Sequence, residues 1–458
     1  MSPAQQTNTT SPVRTAFIGC GAGFAGDRPE AAVALVQDLA SRPGPAYLFY
    51  ELLAERTLAE AQMRKLANAD TGYASKLFRF LDPVVADCLR YGIPIITNGG
   101  AANPLAAARR LHAELQQRGL SARIACVLGD DLSDRLSADA DWLPADCPFA
   151  EVLSCNVYIG ADGIVEALNQ GADIVIGGRI ADPSLVVGTL RHAHQWAADD
   201  WQQIALATAA GHLLECCTQV SGGYFAHPGY KTVADLAHLG CPIAEVSANG
   251  SLVITKTAGS GGCVTEQTVK EQLLYEVHNP AAYLTPDVIL DISGVTLSTV
   301  GPDRVQVHGV KGHPAPATLK GNLGLRGLWF GEADISYAGP GASERGLQAI
   351  EVLQTRLAQY FPTLKPQLDL IGVASLFNDR DGQWREHCQH IGSEDVRVRL
   401  GIVDRDAQAI DEALQEVEAL YLNGPAGGGG VRRHLSESLR TQSFLIDREQ
   451  IKTTLVWS

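Results

Sequence analysis

The chain has 458 residues, of which 46% are apolar and 19% charged. At roughly 150 residues per domain that is enough for two or three packed domains. A formal net charge of −15 argues against a nucleic-acid partner, which needs a basic surface, and no apolar run is long enough for a membrane span. Ten cysteines without a C-x-x-C pair read as free thiols of a reducing compartment, so the expected location is the cytoplasm. The acidic balance still permits a small anionic substrate, since backbone amides and a few local cations can bind a phosphate or carboxylate.

Residues 1–12 are polar, show no secretory leader, and read as a disordered tail. From 13 to 220 apolar strand-like runs alternate with helical patterns. The strands are Thr15–Ile18, Ala46–Tyr50, Ile93–Thr97, Arg123–Val127, Val152–Val157 and Ala172–Ile176. Helical periodicity falls near 28–41, 51–66, 75–91, 103–118 and 161–170. Asn103-Pro104 is a helix start, with an N-cap followed by proline at the first helical position. Short joints between such units predict a parallel-sheet, Rossmann-like domain with helices on its faces. In that architecture ligands sit beyond the carboxyl ends of the strands.

The first of those ends carries four glycines in eight residues, Gly19 to Gly26. Gly21, Gly23 and Gly26 satisfy G-x-G-x-x-G, and Glu51 lies where a ribose-binding acid would fall. Three readings are open: a tight turn, a backbone cradle for an anionic group with Arg28 beside it, or a dinucleotide site. The other strand ends bring Glu51, Asn98 with Asn103, Asn156, and Arg179 with Asp182. Together they predict one crevice holding carboxylates, amides and a fixed cation.

Helix follows from 191 to 220. His212 and Glu215 stand i, i+3 on one face, a spacing suited to a structural hydrogen bond, to proton transfer or to two metal ligands. No third metal ligand is set by local spacing. A mixed α+β domain is expected from 221 to 365. Its hairpin at Asn249-Gly250 leads to Lys256 and to Gly259, Gly261 and Gly262, a second anion site or an ordinary turn. Period-two alternation between 286 and 340 reads as antiparallel strands, and a helix follows at 343–360. A small α+β region closes the chain from 366 to 458, with strands Leu368–Leu376, Val396–Val403 and Thr454–Trp457 and a helix at Ala407–Leu422. The glycine run 427–430 beside Arg432 and Arg433 is a hinge or an anion nest.

Eight separated blocks carry a resemblance. They are IGCGAGFAGDRPEAAVALV, LAERTLAEAQMRKLANADTGY, ITNGGAANPLAAARRL, GADIVIGGRIADPS, GHLLECCTQVSGGYFAHPG, VITKTAGSGGCVTEQTVKEQLLYEVHNPAAYLTPDV, GEADISYAGPG and ALYLNGPAGGGGVR. In these the chain resembles the acyclic terpene utilisation family, with Cys217 where the family pattern favours glycine. The resemblance implies a part in the catabolism of branched terpenoids such as citronellol and geraniol, by routes that run through acyl-CoA thioesters. CoA, as part of the substrate, is the only cofactor it points to. Three functions follow as expectations. The first is a hydratase/dehydratase, lyase or isomerase working by acid–base chemistry, with Glu51, Asp182, His212 and Glu215 as proton carriers. Its substrate would be held by Gly21, Gly23, Gly26, Arg28, Asn98, Asn103, Asn156, Arg179, Lys256, Gly259, Gly261 and Gly262. The second is an NAD(P)- or flavin-dependent oxidoreductase. The third is a non-catalytic acyl-CoA-binding or assembly subunit. A homo-oligomer without nucleic-acid or membrane partners is expected in each case.

Overall fold

The computed structural model describes residues 14–375 and 393–458. The tail read at residues 1–12 and the end of the strand read at Leu368–Leu376 lie outside them. The chain divides into two compact units, one running to Gly324 and resuming at Thr441–Ser458, the other Leu325–Arg440.

The first unit is built on a ten-stranded mixed sheet. Its strands are β1 (Thr15–Ala22), β2 (Ala46–Tyr50), β3 (Ile95–Thr97) and β4 (Ile124–Leu128), with β5 (Val152–Val157) standing apart. There follow β6 (Ile174–Gly177), β7 (Pro242–Ser247) and β8 (Leu252–Lys256). A separate small sheet takes β9 (Tyr283–Leu284), β10 (Ile289–Asp291) and β13 (Lys311–His313), and the large sheet gains β11 (Thr296–Gly301) and β12 (Arg304–His308). The centre is parallel in the order β1-β2-β3-β6-β4. These strands are buried nearly end to end, as expected when helices cover both faces. Helix α1 (Ala31–Ser41) covers one face with Ala32, Leu35, Val36 and Leu39, the spacing visible in the sequence.

The parallel sheet expected from the sequence is therefore the middle of a mixed one. β7 runs antiparallel to β1 and is extended by β8, β12 and β11. The terminal strand Thr454–Trp457 pairs antiparallel with β4. Segments read as lying beyond a boundary at 220 thus hydrogen-bond into the same sheet. β5 was the expected fifth parallel strand, but it stays out of the large sheet and pairs with the strand Thr318–Ala338, where Tyr158 N–H donates to Lys320 O at 2.9 Å. Prolines explain two shifted boundaries. β3 begins at Ile95, after Pro94, which has no N–H to donate. The helix expected over 75–91 is two, Leu77–Leu81 and Val85–Tyr91, separated at Pro83.

In the second unit, helices Ala342–Tyr360 and Ala407–Asn423 pack on antiparallel strands Gln367–Ile371, Asp395–Asp404 and the latter part of Thr318–Ala338. Ile335, Leu353, Val398, Leu400, Leu414 and Val417 form its core. The glycine run opens the strand Gly429–Asp447, and Arg345 donates to Ala426 O at 2.8 Å beside it.

At the opening turn β1 continues through Gly21 to Ala22, and α1 starts only at Ala31. None of Gly21, Gly23 and Gly26 has a positive φ. They serve close approach instead. A Cβ on Gly21 would stand 2.4 Å from the Tyr50 ring, and one on Gly23 would stand 1.9 Å from Glu215 O and 2.6 Å from Cys216 Cα. A Cβ on Gly26 would meet only the Phe24 ring, which is 65% exposed and able to swing away. Gly23→Ala is therefore expected to destabilise the fold by roughly 1–3 kcal/mol, because backbone must shift, and Gly26→Ala by far less. Thermal unfolding of both variants checks this, and equal melting temperatures would contradict it.

Candidate functional site

Three adjacent parallel strands, β2, β3 and β6, end side by side and deliver Glu51, Asn98 and the 177–184 turn to one place. Leu52 N–H donates to Asn98 Oδ1 at 2.8 Å, which orients the amide. Asn98 Nδ2 then donates to Glu51 Oε1 at 2.9 Å and to Asp182 Oδ1 at 3.4 Å, joining two carboxyl groups through one amide. Leu53 N–H donates to the same Glu51 oxygen at 2.7 Å, which leaves Oε2 for a proton. Burial, with the Asp182 charge added, holds the Glu51 carboxyl well above the usual carboxylate range, outweighing Arg179 and the Asn98 hydrogen bond. Burial also raises Asp182, but Arg179 beside it opposes the shift. Both carboxyls are therefore raised, Glu51 well above its ordinary value.

Arg179 is 1% exposed. Its guanidinium donates to Leu53 O at 2.5 Å, to Ile180 O at 3.1 Å and to Asp182, and lies 4.5 Å from the centre of the Tyr158 ring. Behind it, Asp130 Oδ2 accepts from Arg179 N–H at 2.7 Å and from Asn156 Nδ2 at 3.1 Å. Asn156 is thus a second layer to the site, reached through Asp130.

The helix Trp201–Leu214 ends beside these groups. His212 Nδ1 is 2.8 Å from Glu215 Oε1, and Nε2 is 3.2 Å from Leu273 O. The carbonyl requires a proton on Nε2, so one further proton is shared between Nδ1 and the carboxyl. Burial raises Glu215 to about 7 against the lowering pull of His212. For His212, burial lowers the pKa, but the Glu215 charge and hydrogen bond win and the net shift is upward. Cys216, next in the chain, is pushed up to about 12 by burial and stays a thiol near neutral pH.

Of these groups Glu51, Asp182, Glu215 and Cys216 line a cavity of about 440 Å³. Asp27 and Glu276 face it too, while among the described residues no lysine, arginine or histidine does. Asp182 and Glu276 also line a second cavity of about 580 Å³ with Tyr283, Leu284, Pro286, Leu319, Phe444 and Leu445, where Lys320 is the only cation among the described residues. A polar chamber and an apolar lobe thus share two carboxylates. Tyr224 and Glu276 hold left-handed backbone, φ 59° and 58°, beside the chamber. Such conformations cost non-glycine residues energy and cluster at functional sites.

The remaining residues read from the sequence lie elsewhere. Gly23 lines the chamber, but its N–H donates to Asp27 Oδ2 at 2.9 Å. Gly21, Gly26 and Arg28 line a separate cavity of about 230 Å³, where Arg28 donates to Ala237 O at 2.5 Å. Asn103 caps its helix and ties down the preceding loop through Ala69 O and Thr71 O. Lys256 donates to Ser260 O at 2.8 Å and pairs with Asp303 at 3.4 Å, while the N–H groups of Gly261 and Gly262 donate to His238 O and Ala234 O. Gly259 sits in the same loop, left-handed at φ 71°. Among the described residues no group of three or more His, Cys, Asp or Glu is arranged to hold a metal ion, and no helix is long and apolar enough to cross a membrane. Sequence reasoning missed Glu276, Tyr158 and Tyr283, which carry no local motif. It passed over the role of Asp130, although Gly129-Asp130 at a strand end was the signal for it.

A mixed α/β protein with a carboxylate-lined chamber at the carboxyl ends of its parallel strands is the class that fold and site define. The chain belongs to the acyclic terpene utilisation family: the family model described as "Acyclic terpene utilisation family protein AtuA" matches residues 16–457. No curated protein and no solved structure gives a significant match. The family's link to acyclic terpene utilisation fits a catabolic role.

Burial raises Asp130 from 3.8 to about 6. A carboxyl raised on folding contributes fully below its unfolded pKa and loses that contribution as pH rises through the folded value. The loss here is roughly 2–3 kcal/mol between pH 4 and 7. Asp130→Asn keeps an acceptor for Arg179 N–H and removes the titration. The stability difference is expected to move toward the variant by about that amount over this range in denaturant unfolding, and a pH-independent difference would contradict it.

Proposed function

We propose that this chain is an acid–base enzyme, of the hydratase/dehydratase, lyase or isomerase kind, acting on a branched apolar acyl substrate such as an acyl-CoA thioester. The observation that carries the reading is the Glu51–Asn98–Asp182 bridge: two carboxyls held by one amide, Glu51 raised well above its ordinary value, beside a chamber that shares Asp182 and Glu276 with an apolar lobe. Two carboxyls with separated pKa values form a donor and an acceptor for one turnover. Glu215, backed by His212, offers a second proton store near neutral pH.

The lining also orients the substrate. With five acidic side chains and, among the described residues, no cation lining the chamber, the reacting group that enters carries no negative charge. The apolar chain takes the lobe, and anionic portions such as a CoA phosphate stay outside the chamber. The dinucleotide reading loses support because Asp27 occupies the Gly23 N–H and Glu51 is committed to Asn98 and Leu53. The binding-subunit reading gives the paired carboxyls no task. Free thiols at all described cysteines support a reducing, cytoplasmic setting.

The test is turnover of branched acyl-CoA thioesters derived from citronellol and geraniol, with loss or gain of water or acetate followed by mass spectrometry. Glu51→Gln is expected to lower kcat by about 10²–10⁴-fold with an unchanged circular dichroism spectrum. The wild-type rate is expected to fall on the alkaline side, where Glu51 loses its proton. Full turnover by Glu51→Gln would sink the assignment.

A further inference from the structure

Acid–base chemistry on a thioester can run in two electrostatic senses. Proton removal beside the carbonyl builds negative charge, which needs donors or cations aimed at the oxygen. Proton addition to an alkene builds positive charge on carbon, which needs anions and aromatic faces. The chamber has the second character. Among the described residues, Asp27, Glu51, Asp182, Glu215 and Glu276 line it without a lysine, arginine or histidine, and the half-buried ring of Tyr275 lines it together with the largely exposed rings of Phe24 and Tyr224. Arg179 offsets part of the Asp182 charge from behind, through its ion pair. Glu276 stands where the polar chamber meets the apolar lobe and lines both. Its backbone is held left-handed at φ 58°, directly after the helix Glu266–Leu274 and Tyr275. A costly conformation kept at that junction places a carboxylate where the apolar chain of a substrate enters the reacting space.

We propose that this site is built to stabilise a carbocation: Glu51 protonates a branched carbon–carbon double bond, and Asp182 and Glu276 hold the positive charge that develops on the substituted carbon until water adds. This inference rests on the acid–base reading above and gives it a reaction and a substrate class, the hydration of trisubstituted alkenes. The π electrons form a new C–H bond with the Glu51 proton, leaving Glu51 ionised and the more substituted carbon cationic. Water, the co-reactant, forms the C–O bond and gives its proton to Asp182. That proton returns to Glu51, so that alkene and water become a tertiary alcohol with no other change. The reverse direction is the dehydration of the same alcohol. Glu276 takes no proton in this cycle. Its part is electrostatic, which separates it from Glu51 and Asp182.

Binding of two shape-matched probes tests the charge preference without turnover. N,N-dimethyloctylamine, protonated at neutral pH, mimics the cation, and 2-methyldecan-2-ol is its neutral, product-like counterpart. By calorimetry the wild type is expected to bind the amine at least about tenfold more tightly than the alcohol. Glu276→Gln is expected to reduce that preference to about twofold while leaving the alcohol affinity unchanged. Glu51→Gln, which resembles the protonated acid, is expected to keep it. Equal affinity of the wild type for amine and alcohol overturns the cation proposal, as does an unchanged preference in Glu276→Gln. Neither result touches the acid–base reading, which stands or falls on the turnover of Glu51→Gln. On substrate, hydration of trisubstituted alkenes is expected to exceed that of their linear isomers by at least about a hundredfold, and comparable rates would also overturn the proposal.

Discussion

A guanidinium that is 1% exposed must find its counter-charge and acceptors on the spot. Arg179 does so through Asp182, two backbone carbonyls and the face of Tyr158, and its own backbone is pinned by Asp130. This one buried cation orders the centre of the large unit. It fixes the turn after β6, opposes the rise that burial imposes on the Asp182 carboxyl, and ties that turn to the strand end at Leu53. Glu51 is raised well above its ordinary value by burial and by the Asp182 charge. The two carboxyls of the candidate site are thus set apart by a group that does not itself line the chamber.

The second constraint is steric. Gly23 lets the turn after β1 come against the Glu215–Cys216 backbone, and Gly21 lets the Tyr50 ring lie flat on its strand. These approaches bring the end of the helix Trp201–Leu214, with Glu215 and its buried His212, up to the strand ends that carry Glu51 and Asp182. The same glycines that resemble a phosphate-binding fingerprint therefore act through packing, and an acid, Asp27, takes the N–H that an anion would have used. Anion-cradle chemistry and close packing demand the same residue in the same rhythm, so spacing alone does not separate them.

Much of the site was legible. Glu51, Asn98, Arg179 and Asp182 follow from a simple rule: in a parallel sheet, polar residues at strand ends converge. His212 and Glu215 were marked as a pair by helical spacing. Asn156 and Asp130 were visible as polar strand ends, but not as supports lying behind the arginine. Glu276 was hidden because nothing in a helix tail announces a left-handed carboxylate. The apolar lobe was hidden because its walls come from residues as far apart as Tyr158, Leu319 and Phe444.

By itself the sequence determined the local units: which runs are strands and helices, and that the central strands are parallel and covered by helices, though not the breaks at Pro83 and Pro94. Those follow from periodicity and from residues whose backbone chemistry acts within a few positions. Only the tertiary structure decided the rest. Strands from 242 to 308 and from 454 to 457 complete the same mixed sheet, and β5 leaves it, because hydrogen-bond pairing between distant strands leaves no mark in local pattern. The character of the chamber was decided there too. Each carboxylate alone reads as an ordinary polar residue. Only when five acidic side chains face one space, with no cation among the described residues lining it, does the electrostatics acquire a sign.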